Sequence, residues 1–325
     1  MKIYVTGLGV ISAIGLNVEE NFHSLRSEKS GIKKTFFGSD LFLGMVDVSN
    51  EEIISKYNLK NGPYSRTSLL AYVAAKEAWG TNLQDKEIRT GIISATTVGG
   101  MDNTEEYYRK LKTNSEADIS LLLTHDSGNT TEKIAADLGI SGYINTLSTA
   151  CSSSANAIML GARLMQQNRL DRVVVGGADA LTHFTIKGFH SLFIFDAEWC
   201  KPFDENRNGL NLGEGAAFLV LENEKSISKT KNKPLCLFSG WSNAADAYHQ
   251  TASSPEGKGA TLAMKEALQK GETDSSAISY INAHGTGTKN NDLSESAALK
   301  TIFEKNIPPF SSTKAFTGHT LAASG

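Results

Sequence analysis

The chain has 325 residues, of which 40% are hydrophobic and 21% charged, and this usage is that of an ordinary globular protein rather than a disordered or fibrous one. Its 32 Lys and Arg against 35 Asp and Glu give a formal net charge of −3, so no general attraction to nucleic acid or to an anionic membrane is implied. At about 150 residues per domain, the length predicts two domain-sized units.

In chain order, apolar strand-like runs alternate with helical periodicity, which is typical of an α/β protein. From Ser154 onward, apolar residues recur at the spacing of one helical face, so Cys151 is expected at a strand-to-helix junction. The first half predicts strands at 3–10, 91–95, 172–176 and 216–221, helices at 67–79 and 130–138, and a short strand that leads into Cys151.

The second half repeats this order, and by analogy His319 stands near the position of Cys151. It predicts a strand at 235–240, a helix around 260–268, a strand at 278–283 before a helix at 292–303, and a strand at 310–313 before a Gly-His turn. The predicted domains are therefore 1–232, which carries the cysteine, and 233–325. Counterparts of the last two strands are missing, which would leave unpaired edges, so we expect a second half truncated at Gly325 and a longer natural chain.

The cysteines favour a reducing compartment, the cytoplasm. Cys151, Cys200 and Cys236 are odd in number and far apart, which fits neither a disulfide framework nor a zinc site. The uncharged run at 139–162 is too polar to span a membrane, because it holds several Asn, Thr and Ser residues. We therefore predict no membrane segment.

Cys151 is the first candidate for chemistry. It lies in Ser-Thr-Ala-Cys-Ser-Ser-Ser, and the backbone amides at a helix start are expected to lower its pKa and to favour the thiolate nucleophile. A single cysteine among small residues is more often an inert buried thiol, so the context has to support the catalytic interpretation.

Two histidines supply that context. His284 follows a buried strand within Asn-Ala-His-Gly-Thr-Gly-Thr, and His319 occupies the same kind of strand end in the second half. Lys314 is expected to hold a charge near the site, and Glu295 to pair with it or to orient an imidazole. Taken separately, a histidine of this kind is more often a capping or core residue, and a lysine or glutamate is more often a surface charge.

Other chemistries find little support. Gly7-Leu8-Gly9 follows a strand, but Ser12 stands where a dinucleotide fingerprint has its third glycine. The seven histidines form no metal-ligand spacing, so no metal is predicted. Gly-x-Ser-x-Gly and Walker A motifs are absent from the sequence, which argues against the usual serine hydrolases and P-loop proteins.

Assembled, these residues resemble a β-ketoacyl-[acyl carrier protein] synthase of the elongating type, in the thiolase-like superfamily. The resemblance spans essentially the whole chain. It rests on Val-Thr-Gly-Leu-Gly-Val-Ile-Ser at 5–12, Ser-Thr-Ala-Cys-Ser-Ser at 148–153, Val-Gly-Gly-Ala-Asp at 175–179, Lys-Pro-Phe-Asp at 201–204, Gly-Glu-Gly-Ala-Ala at 213–217, Asp-Ala-Tyr-His at 246–249, His-Gly-Thr-Gly-Thr at 284–288, Ser-Thr-Lys at 312–314 and Gly-His at 318–319.

The resemblance implies an α/β thiolase-like fold of two similar βαβαβαββ halves in α-β-α-β-α layers. It also implies a decarboxylating Claisen condensation, in fatty acid or related polyketide or polyene synthesis. An acyl group would be held on one residue and joined to malonyl carrier protein. The implied partners are acyl carrier protein and a second subunit, either identical or a paralogue. No cofactor is implied, because the substrates ride on the phosphopantetheine arm of the carrier.

Residue roles follow from the resemblance alone. Cys151 would take the acyl group as a thioester, and its backbone amide would supply one oxyanion-hole donor. His284 and His319 would stabilise the enolate, and Lys314 with Glu295 match the supporting charged pair. The remaining matches are to substrate-binding positions: Thr286 and Thr288 on the phosphopantetheine arm, and Val98 and Phe189 in the acyl pocket.

Three departures from the family pattern and four alternatives remain. Lys201 stands where many relatives have Arg and the segment 189–201 is short, and both departures bear on the shape of the acyl pocket. The family's Gly-Phe-Gly-Gly gate loop, which supplies the second oxyanion amide, is absent up to Gly325. The natural full-length chain is therefore expected to be an active condensing enzyme, whereas a chain ending at Gly325 is expected to be inactive or unfolded. A non-catalytic partner subunit of the chain-length-factor type stays open, although all three triad residues argue against it. Specialised metabolism with the same chemistry and a degradative thiolase acting on coenzyme A esters also stay open, and a pure binding module ranks last.

Overall fold

The computed structural model describes residues 1–37, 40–59, 62–82, 85–249 and 252–325. Its first half consists of β1 Ile3–Ser12, α1 Val18–Arg26, β2 Ile32–Phe36, β3 Asp40–Gly44, α2 Asn50–Tyr57, α3 Arg66–Trp79, β4 Thr90–Ala95, α4 Met101–Lys112, α5 Gly128–Asp137, β5 Tyr143–Leu147, α6 Ser153–Gln166, β6 Arg172–Asp179, α7 His183–His190, β7 Gly215–Asn223 and α8 Glu224–Thr230. A 3₁₀ helix, Ile119–Thr124, lies between α4 and α5.

The second half consists of β8 Cys236–Leu237, α9 Lys258–Lys270, β9 Ile281–Asn282, α10 Lys289–Phe303, β10 Phe310–Ser311 and α11 Lys314–Thr317, with 3₁₀ helices at Ser275–Ala277 and Leu321–Ser324. None of the helices in these described stretches is both long and apolar enough to cross a bilayer.

A mixed sheet forms the centre of the molecule. Its strand order is β5-β4-β6-β7-β1-β8, with β4 parallel to β5 and β6, and with β7 antiparallel to both β6 and β1. All eight residues of β6 are buried. Because side chains alternate along a strand, Val173 and Val175 pack on the face covered by α6, whereas Val174 packs on the face covered by α3. The run of three valines therefore belongs to a strand that is buried on both faces.

The predicted fold class is confirmed, because the chain has a mixed α/β architecture. Within the first half, β1, α3, β4, α5, β5, α6, β6 and β7 follow the expected βαβαβαββ order, with other elements inserted between them. The strands predicted at 172–176 and 216–221 belong to longer strands, β6 and β7, and the predicted helix at 67–79 is α3. The β2–β3 hairpin and helices α1, α2, α4, α7 and α8 were not predicted, since their short amphipathic patterns lie outside the long apolar runs.

The second half has shorter strands than its apolar runs predicted. Ladder pairing covers two residues each in β8, β9 and β10, where strands of four to six residues were expected at 235–240, 278–283 and 310–313. Each of these strands has one hydrogen-bonded neighbour among the described residues: β8 pairs with β1, and β9 with β10 in parallel. A strand without a second neighbour lacks half of the ladder that would extend it.

Candidate active site

Cys151 lies on a tight turn between β5 and α6, as the sequence predicted. The preceding residue, Ala150, has a φ of 53°, a left-handed conformation that is uncommon for a residue with a side chain. Ser153 holds this turn, because its Oγ donates to the Ala150 carbonyl at 2.6 Å and accepts the Thr149 N–H at 2.8 Å. The turn presents the half-buried Cys151 at the carboxyl end of the sheet, two residues before the helix begins.

The electrostatics of the thiol differ from the prediction. Burial raises the pKa of Cys151, and the nearby Lys314 ammonium and the Cys151 backbone N–H act against this increase without cancelling it. The expectation that amides at the helix start would give a net lowering was therefore wrong. The loss of water around the sulfur outweighs these dipoles, so the resting site holds a thiol rather than a thiolate.

The backbone of His319 is held by hydrogen bonds to Asn211 and Gly213, which lie beside it in the fold. Its N–H donates to the Asn211 carbonyl at 2.7 Å, and its own carbonyl accepts the Gly213 N–H at 2.9 Å. The residue is 2% exposed. It precedes the 3₁₀ helix Leu321–Ser324 by two residues, the same offset as Cys151 from α6, which agrees with the internal repeat seen in the sequence.

The hydrogen bonds of His319 also determine its tautomer. Nδ1 accepts the Leu321 N–H at 3.0 Å and lies 3.1 Å from Ser324 Oγ. A nitrogen that accepts a backbone N–H cannot carry a proton, so the neutral ring is protonated at Nε2. Burial holds the pKa of His319 well below its usual value, and the neighbouring His284 and Lys314, which disfavour a second positive ring, act in the same direction. His319 therefore presents a neutral N–H donor.

His284 is also a neutral imidazole. Burial, reinforced by the Lys314 ammonium, lowers its pKa to about 3. Its ring stands edge-on to that of His319, with the two centroids 5.4 Å apart. The two imidazoles thus form one uncharged pair.

Glu295, on α10, contacts His284 through the backbone. Its Oε1 accepts the His284 N–H at 2.7 Å, and its Oε2 accepts the Gly285 N–H at 2.8 Å. Burial raises the pKa of Glu295, while these two hydrogen bonds and Lys314 act in the opposite direction. The sequence suggested that Glu295 pairs with Lys314 or orients an imidazole. In the structure its hydrogen bonds fix the turn that carries the His284 imidazole, and its charge acts on Lys314.

Lys314 is buried beneath the cluster at the start of α11, with 5% of its surface exposed. Burial lowers the pKa of Lys314, and the negative charge of Glu295 acts against this decrease and favours the ammonium. The Cys200 thiol donates to the Lys314 carbonyl at 3.4 Å. Lys314 thus contributes the positive charge of the site, close to where the sequence placed it.

The sulfur of Cys151, one ring nitrogen of His284 and one ring nitrogen of His319 all lie within 4.8 Å of one another. Such spacing also suits a metal ion, but Nε2 of His319 carries a proton while Nδ1 accepts a backbone N–H, so this ring offers no free lone pair. The arrangement instead joins a nucleophile to two neutral hydrogen-bond donors.

A cavity of about 610 Å³ opens onto this cluster. Cys151, His284 and Glu295 form part of its wall, together with residues of α9 and α10. Thr286 and Thr288, expected to hold the phosphopantetheine arm, do not lie in this wall, and their hydroxyls are 2.8 Å apart and hydrogen-bonded to each other.

Val98 and Phe189, the predicted acyl-pocket residues, lie in one apolar cluster. Both pack against a buried group that includes Leu212 and Leu321. Leu321 is also the residue whose N–H binds His319. The structure therefore brings the two predicted pocket residues together beside one of the candidate histidines.

Three buried polar residues hold the site together and were not singled out from the sequence. Asp292 accepts the backbone N–H groups of Thr286 and Gly287, and Asn211 accepts the Cys200 N–H at 2.7 Å. Asp179, the third, ends the buried strand β6 with its carboxylate 0% exposed. An acidic residue at the carboxyl end of a strand buried on both faces is a sequence signal that could have revealed it.

Comparison with known families agrees with this geometry. Residues 1–226 match the family model described as "Beta-ketoacyl synthase, N-terminal domain", and residues 235–325 match "Beta-ketoacyl synthase, C-terminal domain". The 3-oxoacyl-[acyl-carrier-protein] synthase 2 of Staphylococcus aureus strain MRSA252 is 30% identical over 351 residues, which cover 100% of this chain and 83% of the relative.

Two solved structures are similar throughout. The ishigamide ketosynthase/chain length factor superposes with a TM-score of 0.91 at 27% identity, covering 99% of this chain and 83% of the other. A type II polyketide synthase acyl carrier protein in complex with its ketosynthase bound to the hexaketide gives a TM-score of 0.88 at 25% identity, with the same coverage.

Proposed function

This chain belongs to the β-ketoacyl synthase family, whose members are condensing enzymes of the acyltransferase class, and we propose that it joins an acyl group held on Cys151 to a malonyl group carried by acyl carrier protein. The observation that carries the proposal is the position of the Cys151 sulfur within 4.8 Å of two imidazoles, one of which has its tautomer fixed by the Leu321 N–H.

The first half-reaction is acyl transfer. The Cys151 sulfur attacks the carbonyl carbon of an acyl thioester and the carrier thiol leaves, taking up the proton that the cysteine gives away. The backbone N–H of Cys151 stands at the start of α6 and supplies one donor to the developing oxyanion. Because the pKa of Cys151 is raised, removing its proton adds to the barrier of this step. The Lys314 charge lowers that cost by stabilising the resulting thiolate.

The second half-reaction needs neutral donors. Cleavage of the malonyl C–C bond releases carbon dioxide and leaves an electron pair that is delocalised onto the thioester oxygen as an enolate. Nε2–H of His319 and the neutral ring of His284 can donate to that oxygen, since the pKa values of both imidazoles are lowered and neither ring is charged at pH 7. The enolate carbon then attacks the acyl thioester, a C–C bond forms, and the Cys151 thiolate leaves.

We propose acyl carrier protein as the partner that delivers both substrates, in fatty acid or related polyketide synthesis. The similar polyketide synthase structure is itself a complex with an acyl carrier protein, and the cavity beside Cys151 provides space for a carrier arm. Thr286 and Thr288 lie outside the wall of this cavity, so we propose them as contacts of a part of the arm that the cavity does not hold. We propose Val98 with Phe189 as walls of the acyl pocket. No cofactor of the enzyme's own is needed, because the carrier supplies the phosphopantetheine.

We propose that two subunits associate through the β5 edge. This strand is at the end of the sheet, where one row of its backbone groups is unpaired within the described chain, and Ile144 on it is 41% exposed. Ile119 and Leu123 are 71% and 66% exposed on the 3₁₀ helix that contacts α5, the helix packed on β5. Sedimentation of the protein and of Ile144→Lys, with a lower mass expected for the variant, tests this association.

The division into 1–232 and 233–325 is kept as a proposal for the two domains. The first range supplies Cys151 and the second supplies His284 and His319, so the proposed site is assembled from both. The family models divide within eight residues of the same place, between 226 and 235.

Mass spectrometry tests the reaction. The full-length natural protein is incubated with acyl carrier protein charged with acyl groups of different length, and the acyl mass is sought on the Cys151 peptide. Cys151→Ala should abolish the adduct, whereas Cys236→Ala, which removes an exposed thiol, should leave it unchanged. Addition of malonyl carrier protein should convert the adduct to a β-ketoacyl product. A folded protein that gains no acyl mass with any chain length would contradict the proposal.

A further inference from the structure

The buried carboxylate of Asp179 accepts hydrogen bonds from two segments of the chain, and each segment carries proposed site residues. Its Oδ1 accepts the Thr97 N–H at 2.9 Å, the Val98 N–H at 3.2 Å and the Thr96 hydroxyl at 2.6 Å. Its Oδ2 accepts the Thr97 hydroxyl at 2.5 Å and the Ala322 N–H at 2.8 Å. One oxygen thus faces the segment of the proposed acyl pocket, and the other also reaches the segment that follows His319.

The bond to Ala322 bears directly on the imidazole. Leu321 donates its own N–H to Nδ1 of His319 at 3.0 Å and has a φ of 52°, a left-handed conformation that a leucine seldom adopts. The N–H groups of Leu321 and Ala322 lie on either side of the Leu321 Cα, so the two hydrogen bonds together define both backbone angles of Leu321. Without an acceptor for Ala322, Leu321 would be free to relax and to turn its N–H away from the ring.

We propose that Asp179 is a positioning residue that sets the tautomer of His319 through the backbone of Leu321 and Ala322, while the same carboxylate fixes the Val98 segment relative to that histidine. The effect of this positioning on catalysis rests on the condensation proposed above. The role requires no contact between Asp179 and substrate. It explains why a carboxylate is placed out of contact with water, where it would otherwise be costly.

Asp179→Asn is a selective probe of this role. The amide oxygen can take the place of Oδ1 and still accept hydrogen bonds from the N–H groups of Thr97 and Val98. The amide NH₂ then replaces Oδ2, where it can still donate to the Thr97 hydroxyl but faces the Ala322 N–H as a second donor. The variant therefore keeps the pocket-side hydrogen bonds and loses the one that holds Leu321.

The first readout is the tautomer itself. ¹⁵N NMR of histidine-labelled protein, assigned with His319→Asn, should show wild-type His319 as the pure Nε2–H form. In Asp179→Asn we expect a mixture of the two neutral tautomers. Asp171→Asn is the matched control, because Asp171 is equally buried at the opposite end of β6 and binds Arg89 and Lys225 instead. It should keep the wild-type His319 spectrum.

The second readout separates the two half-reactions. Release of carbon dioxide from malonyl carrier protein should fall at least about 10-fold in Asp179→Asn, because it needs the Nε2–H donor, whereas acylation of Cys151 should stay within about threefold. Asp171→Asn should leave the ratio of the two rates unchanged.

An unchanged His319 spectrum in Asp179→Asn would overturn the proposal, and so would equal losses in both half-reactions, which would mean that Asp179 only supports the fold. If the wild type performs neither half-reaction, the proposed function fails, and the histidine spectrum alone decides the role of Asp179. Should Asp179→Asn not fold, Asp179→Glu displaces the oxygens while keeping the charge, and a pure Nε2–H form in that variant would count against the proposal.

Discussion

Glu295 binds the backbone of His284 rather than its ring: Oε1 accepts the His284 N–H at 2.7 Å while Oε2 accepts the neighbouring Gly285 N–H at 2.8 Å. Both oxygens are thus used on one turn. This carboxylate fixes where the imidazole leaves the chain, and the ring itself stays available for a substrate.

Glu295→Gln should therefore slow the reaction without preventing acylation. An amide has one acceptor oxygen, so one of the two N–H groups loses its partner and the turn loosens. We expect condensation to fall by roughly 10- to 100-fold in kcat with little change in KM, and acylation of Cys151 to persist. Steady-state kinetics and intact mass check the two parts. Glu266→Gln, an exposed carboxylate on α9, is the control, and a variant with wild-type kcat would refute the role.

Lys314→Met should make Cys151 less reactive at neutral pH. The Lys314 ammonium opposes the burial that raises the Cys151 pKa, so removing this charge leaves burial uncompensated and raises that pKa further. The midpoint of the rate of Cys151 alkylation by iodoacetamide against pH should move upward. Lys265→Met, which removes an exposed charge from α9, provides the comparison. A midpoint that stays in place would show that Lys314 does not act on the sulfur.

The candidate side chains could be chosen from the sequence, but the contacts that hold them in place could not. Cys151, His284, His319 and Lys314 could be selected because each stands next to glycine or small residues at a strand end, which is a local pattern. In the sequence, Asp179 was noted only as the last residue of the Val-Gly-Gly-Ala-Asp motif at 175–179. Its partners are residues 96–98 and 322, more than 80 positions away on either side, and local periodicity carries no information about such contacts.

The pKa of Cys151 illustrates the same limit. The start of α6 is visible in the sequence, so the dipole effect could be predicted, but the extent to which the fold removes water from the sulfur could not. Burial has the larger effect, and the direction of the pKa shift is therefore opposite to the expected one.

Ser153→Ala should weaken the turn that carries the nucleophile. The hydroxyl donates to the Ala150 carbonyl and accepts the Thr149 N–H, and the buried alanine variant would leave both without this partner. We expect a loss of about 1–3 kcal/mol in the free energy of unfolding, measured by urea denaturation, together with slower acylation of Cys151. Ser152→Ala changes the adjacent, exposed serine and should cost less. Equal stability of the two variants would argue against the proposed support.

The two imidazoles, whose pKa values are both lowered, should make the fold sensitive to mild acid. In the folded protein the pKa of His284 is lowered to about 3, whereas in the unfolded chain it is close to 6.5, so below pH 6.5 the unfolded state binds a proton that the folded state does not. Stability from this group is present above pH 6.5 and decreases as the pH falls toward 3. Each such histidine contributes at most about 1.4 kcal/mol per pH unit to this decrease.

His284→Gln should consequently lose less stability than the wild type between pH 6.5 and pH 4, because the glutamine does not titrate. Urea denaturation at several pH values measures the slope, and His23→Gln, an exposed residue of α1, controls for the loss of a histidine as such. A slope equal to that of the wild type would mean that His284 is already protonated in the folded protein. A protonated His284 would also remove the neutral pair on which enolate stabilisation depends, so this measurement tests the proposed chemistry without requiring substrate.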